Sequence, residues 1–407
     1  MNIWKSISRH RLWGAAVLCV LLIAGCGPAP LGTGWAAVSL MTTQCGDTAT
    51  ENVLLAYNDR IVLVNPVDGK GAILLNQDCK PRPSDADGKA KVWDFRGGGQ
   101  NLFFTTPLQI DNQTLLTVAY NQHIYKIDSV RAEADVAAGS PIPDLTGHTV
   151  AEVVENGDLL YLGLNAKNLV ALHADDYSVA WTVQTEHGVW SKPLLHDTTI
   201  YFTSLDHFLY AADAQTGDLK WKLDLEGALT STPLYDDTTG HLFVGSFSRK
   251  IFEVSLDGQI VNQYETADWV WGTPVIVDGT LYAADLGGYV YALDTTRNLA
   301  EVWKQKIAAR AIRGTPLIVG DTIVVASRDQ KLYWLNRTDG TVRNDSEGQP
   351  LVRDVQAEIL SDVLLVQPSD TLKIKEPFVI VSTLANDKIL VAYSLSRAEL
   401  QWTYALQ

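Results

Sequence analysis

The sequence predicts an all-β protein, an eight-bladed β-propeller built from four-stranded antiparallel blades, and three observations carry that expectation. A motif of short apolar strands and turn residues recurs about every forty residues from near residue 55 to the C-terminus, the period of one propeller blade. Its third strand can be counted eight times. Outside the N-terminus, no stretch carries a helical apolar period longer than a turn or two.

The repeat that opens at Pro193 sets the pattern, with apolar runs at 200–204 and 208–213 followed by Thr216, Gly217 and Trp221. Copies opening at Pro233, Pro274 and Pro316 follow the same layout. Each run is rich in Val, Ile, Leu, Tyr and Phe and is bounded by Asp, Gly, Asn or Ser, as a strand between turns is. Third strands are expected at 61–65, 124–128, 169–173, 208–213, 251–255, 290–294, 332–336 and 389–393. Asn65, Asp128, Asp213, Asp294 and Asn336 end five of them, and such side chains close Asx-type turns. Proline opens five first strands (Pro107, Pro193, Pro233, Pro274, Pro316), where its missing N–H does least harm. The spacing widens to roughly sixty residues between the first two units and between the last two, against the blade period. Insertions are therefore expected near 80–99 and 344–376, and their charge, Gly and Pro content reads as surface loop.

The group Ala212-Asp213, Thr216-Gly217 and Trp221 resembles the quinoprotein (PQQ-type) repeat, and Trp181, Trp303 and Trp402 take similar positions. The resemblance implies that Trp181, Trp221, Trp303 and Trp402 dock the outer strand of one blade on its neighbour. They are then structural aromatic packing rather than a ligand platform.

Residues 1–25 read as a secretory signal, since Lys5, Arg9 and Arg11 precede an apolar run, 12–24, too short to span a membrane. The tetrapeptide Ile23-Ala24-Gly25-Cys26 resembles the bacterial lipobox, which implies that Cys26 is lipidated and becomes the mature N-terminus. Residues 26–35 then form a tether and 36–407 the propeller. Such an anchor holds a domain at a membrane without spanning it, on the outer face of the plasma membrane or the periplasmic side of an outer membrane. Cys19 leaves with the signal and Cys26 takes the lipid, so Cys45 and Cys79 are expected to pair as a disulfide, the alternative being two buried thiols.

Loss of the signal removes three basic residues and leaves a net charge of 29 − 47 = −18. Nucleic acid and anionic headgroups both need a basic footprint and are excluded as partners. There is no nucleophile elbow, phosphate-binding glycine loop or zinc helix. Gly97, Gly98 and Gly99 do not lie between a strand and a helix, and His187, His196 and His207 lack ligand spacing. Quinoprotein dehydrogenases stack PQQ on a vicinal Cys–Cys disulfide and hold Ca²⁺ with a Glu, an Asn and an Asp. Here no two cysteines are adjacent and no c-type haem motif is present, so no enzyme activity, PQQ, Ca²⁺ or other metal is expected.

The lipobox, the chain length and the repeat count are also similar to the lipoproteins of the BamB family. That resemblance implies a non-catalytic, monomeric scaffold that docks an envelope protein partner. One local feature remains. Three residues before each strand-opening proline stand Phe104, Trp190, Thr230, Trp271 and Arg313. First strands line a propeller's channel, so this register predicts a ring at one mouth. Phe104, Trp190, Trp271 and Arg313 could grip a protein partner, or alternatively a glycan, PQQ or another quinone, by stacking and cation–π contact. Equally, they could plug the channel or pack between blades.

Overall fold

The computed structural model describes residues 36–83, 90–98, 101–136 and 147–406. The signal, the tether and Cys26 lie outside them. Eight four-stranded antiparallel sheets follow in chain order, blades 1 to 8, at 37–96, 108–136, 154–184, 194–224, 234–265, 275–306, 317–354 and 364–404. In each blade the strands pair in sequence order, first to fourth. Every expected third strand falls on the third strand of a separate blade. The one helix among the described residues is a 3-10 turn, Thr295–Arg297.

The sequence is apolar where a strand is covered on both faces. Middle strands such as Leu159–Leu164 and Phe378–Ser382 are buried throughout, whereas the outer strand Leu219–Asp224 alternates. The core is divided accordingly. Each apolar cluster joins two neighbouring blades, for example Leu169 and Trp181 with Phe202 and Tyr210, or Val324 and Trp334 with Val379 and Val391. A blade therefore buries its faces only against its neighbours.

Four of these seams share one latch. In blades 3, 4, 6 and 8 the fourth strand bulges by one residue and sets a tryptophan opposite a third-strand alanine: Trp181 on Ala171, Trp221 on Ala211, Trp303 on Ala292 and Trp402 on Ala392. Each indole Nε1 donates to a carbonyl in the next blade's last turn: Ala214 at 3.2 Å, Leu256 at 2.9 Å, Arg337 at 3.0 Å and Pro66 at 2.8 Å. Each ring also lies on a glycine of that turn. A Cβ on Gly69 would meet Trp402 at 2.6 Å and one on Gly217 would meet Trp181 at 2.7 Å, and both glycines have positive φ. Between blades 7 and 8 the Arg353 guanidinium does this work, donating to Ala398 O at 2.7 Å and Arg397 O at 3.3 Å. In blade 5 the tryptophan's place is taken by Asn262, bonded to the buried Glu253 at 2.6 Å, which His241 meets at 2.7 Å.

Among the described residues no strand is exchanged at the closure of the ring, because blades 1 and 8 are each built from one contiguous segment. Closure rests on the apolar seam of Val53, Leu55, Ile380 and Trp402, on the Trp402 latch, and on Ser382 Oγ donating to Ala36 O at 2.9 Å.

Much of the first surplus lies in an excursion of several short bridged turns between the third and fourth strands of blade 1, bridged at Val64–Gly71, Ile73–Val92, Leu75–Pro81 and Pro83–Ala90. The turn closed by Leu75–Pro81 carries Cys79, joined to Cys45 at the end of the blade's first strand across 34 residues. The second surplus is split between a bridged segment in blade 7 (Leu335–Val342, Asn344–Pro350) and a turn of blade 8 bridged at Ser369–Ile374.

Candidate functional site: the mouth of the central channel

The loops that carry the chain from one blade to the next share a face with the turns between second and third strands. Leu205, Phe247, Leu286 and Arg328 in those turns donate backbone N–H to Gly188, Ala228, Trp269 and Ala311 of the incoming loops, at 2.9–3.0 Å. An Asp–Tyr pair reinforces this clamp in three blades. Asp206, Asp285 and Asp329 accept the phenols of Tyr210, Tyr291 and Tyr333 at 2.6–2.7 Å. They also accept loop amides, Glu186 N, Asp268 N and Ala309 N, at 2.7–2.9 Å. Burial first, and then the carboxylate it bonds, hold the phenols of Tyr210 and Tyr333 far above their usual range. Farther out, Glu358 takes Arg328 at 3.0 Å and Arg310 at 2.9 Å. Burial alone would raise its carboxyl, but the two guanidinium groups outweigh burial and hold it below the usual range.

These fixed loops deliver the predicted register to one place. Phe104, Trp190, Thr230, Trp271 and Arg313 all line a single cavity of about 530 Å³ on the propeller axis, with Val150 of blade 3 and Leu360 of blade 8 at the corresponding positions. All four residues expected to bind are partly exposed there. The Arg313 guanidinium lies 4.3 Å over the Trp271 ring. Trp271 in turn packs at 5.4 Å on Phe247, which stacks on Trp269 at 4.9 Å. On the other side Phe104 meets Tyr120 edge-on at 5.1 Å, and Tyr120 stacks on His148 at 3.9 Å. The wall is thus aromatic, braced by a second tier, and open to the lumen.

Sequence reasoning missed that second tier and the layer beneath. Tyr120 and Phe247 occupy the turn between second and third strands, so an aromatic side chain in a turn of three or five residues was the available signal. Two residues after each mouth residue, and so deeper by roughly 6–7 Å of extended chain, stand Thr106, Glu152, Lys192, Thr232, Thr273, Thr315 and Asp362, all lining the cavity. Five of these immediately precede the strand-opening prolines. Glu152 and Asp362 sit in the two blades where valine replaces that proline, Val153 and Val363, which hid them.

The lumen is polar at this depth. Glu152 accepts the Thr106 hydroxyl at 3.0 Å and faces the Lys192 ammonium at 3.4 Å. Asp362 accepts the Thr315 amide at 2.7 Å. Asp362 is solvent-exposed in the lumen, and the protein wall around it raises its carboxyl pKa by desolvation, with Glu152 adding to the rise against the Thr315 amide. The sign for stability follows. The folded chain keeps a proton that the unfolded chain has released, so Asp362 costs stability as pH rises from about 4 through the raised value, by a small amount because the exposed carboxyl is screened by solvent. Asp362→Asn should therefore gain on wild type between pH 4 and pH 7 in urea denaturation. Parallel curves would refute that environment.

His187, His196 and His207 do not converge, and no group of three or more metal-ligating side chains occurs among the described residues. No helix among them is long and apolar enough to cross a membrane.

Known proteins with this layout are informative at two levels. The crystal structure of BamB from Moraxella catarrhalis superposes with a TM-score of 0.60 at 13% identity, over 88% of this chain and 98% of that one. The computationally designed Ika8 protein does so with a TM-score of 0.60 at 12% identity, over 91% and 97%. At such identities the likeness shows the fold alone. The outer membrane protein assembly factor BamB of Yersinia pestis is 26% identical over 211 residues, 48% of this chain and 50% of that protein. That of Moranella endobia (strain PCIT) is 24% identical over 238 residues, 45% of this chain and 61% of that protein. The chain spans about half to three fifths of the length of these relatives. The family model described as outer membrane protein assembly factor BamB matches residues 132–346 and 266–407, more than half of the sequence, and the chain belongs to that family.

Proposed function

We propose that this protein is a non-catalytic, lipid-anchored scaffold of outer-membrane protein assembly, which docks another assembly protein on the face that carries the channel mouth. One observation carries the reading: Phe104, Trp190, Trp271 and Arg313, from four different blades, are presented together on rigidly clamped loops. Aromatic and arginine side chains held partly exposed on a fixed frame are the residue types that dominate protein interfaces. The names of the relatives supply the assembly role. Ala36, where the described chain starts, lines the same cavity. With Cys26 acylated, ten residues of at most about 3.5 Å each would keep this face within about 35 Å of the membrane that holds the partner.

The experiment is capture of envelope proteins by full-length wild type, Trp271→Ala and Arg313→Ala. Each variant should lose on the order of 2 kcal/mol of binding if it is an anchor, roughly a thirtyfold weaker affinity, while urea melts stay close to wild type. Equal capture by folded variants would remove the mouth from the interface.

A further inference from the structure

The two lumen carboxylates are not equivalent. Glu152 has a cation beside it in Lys192, at 3.4 Å. The bond to Asp362 comes from a neutral amide, Thr315 N. Glu152 and Asp362 also repel one another, across the small side chains of Ala37 and Thr106 on the intervening blades. A positive charge brought between them would relieve both. The way in passes Trp190 and Phe104, whose ring faces favour cations over anions, and Trp271, whose ring already carries the Arg313 guanidinium at 4.3 Å. The cavity, about 530 Å³, has room for an aliphatic stem and its head group.

We propose that the lumen is a receptor for the alkylammonium or guanidinium head of a lysine or arginine side chain presented by the docked partner. The head is held by Asp362 and Glu152 and the stem passes the aromatic mouth. The inference rests on the docking function proposed above and names the chemistry that the partner must present. The net charge of the mature chain, 29 − 47 = −18, favours approach of such a basic loop.

The probes are Nα-acetyl-lysine methylamide, the matching norleucine and glutamate methylamides, and cadaverine, titrated calorimetrically into the mature protein. The lysine probe should bind and the norleucine probe should not. Asp362→Asn should weaken the lysine probe at least tenfold, and Glu152→Gln should weaken it less. Affinity should rise with pH as Asp362 ionises, the other charged groups lining the lumen being Glu152, Lys192 and Arg313. Equal binding of lysine and norleucine, preference for glutamate, or unchanged affinity in Asp362→Asn overturns the proposal. Cadaverine binding tenfold tighter than capped lysine overturns its peptide source. Asp362→Asn that loses the probe but captures the partner as wild type does overturns the lumen contact and leaves the scaffold reading standing. Absence of capture by wild type itself strikes the scaffold reading and not the probe result.

Discussion

Trp402→Ala is expected to destabilise the propeller by about 3–5 kcal/mol, more than the same change at Trp221. Both indoles latch one blade to the next, but they differ in burial and in what else holds the seam. Trp402 is 8% exposed and closes the ring, where, among the described residues, no exchanged strand ties blade 8 to blade 1. Trp221 is only partly buried and lies between blades that are consecutive in the chain. Its loss should cost on the order of 2 kcal/mol for the apolar area exposed. Trp402→Phe keeps most of the packing and removes the Nε1–H that Pro66 O accepts, a loss of about 1 kcal/mol. Urea denaturation of the three variants checks the order. A Trp402→Ala midpoint equal to that of Trp221→Ala would mean that closure is held by the rest of the seam.

These tryptophans also show what a sequence can and cannot reveal of such a fold. The latch was legible because it is repeated: in four blades a tryptophan follows a third-strand alanine by ten or eleven residues, and the repeat forces a common geometry. The mouth register was legible for the same reason, since a proline fixes the start of the first strand in five blades. Arg353 broke the pattern and was missed, although it donates to the same kind of turn carbonyl. Glu152 and Asp362 were missed because valine stands where the guiding proline would be. Phe247 and Tyr120 were missed because contacts between a turn and a distant loop leave no periodic trace. Periodicity conveys the scaffold, which each blade must satisfy alike. The site is made of departures from the repeat, and only the closed ring brings these together.

Replacing Cys45 and Cys79 together by serine is expected to cost about 3–4 kcal/mol, the loop-closure entropy that a cross-link over 34 residues removes from the unfolded chain. The bridge ties the turn closed by Leu75–Pro81 to the end of the first strand of blade 1, while the base of the excursion is held independently. Leu74 and Trp93 are 3% and 2% exposed in the seam between blades 1 and 2, and Arg82 reaches Glu133 of blade 2 at 3.1 Å. The Arg82 pair is solvent-exposed and adds little, and Ile73 and Val92 on the excursion are about half exposed. Without the disulfide, the turn around Asn76–Lys80 should therefore open below the global transition, and its amides should exchange faster than those at Leu74 and Trp93. Urea melts of the oxidised protein, the reduced protein and the double serine variant measure the global cost, and hydrogen exchange locates the opening. Coincident melts of oxidised and reduced protein, or two alkylatable thiols in the native unreduced chain, would show that the bridge contributes nothing to stability or does not form. Equal protection at the Asn76–Lys80 turn with and without it would mean that the excursion is held by its base alone.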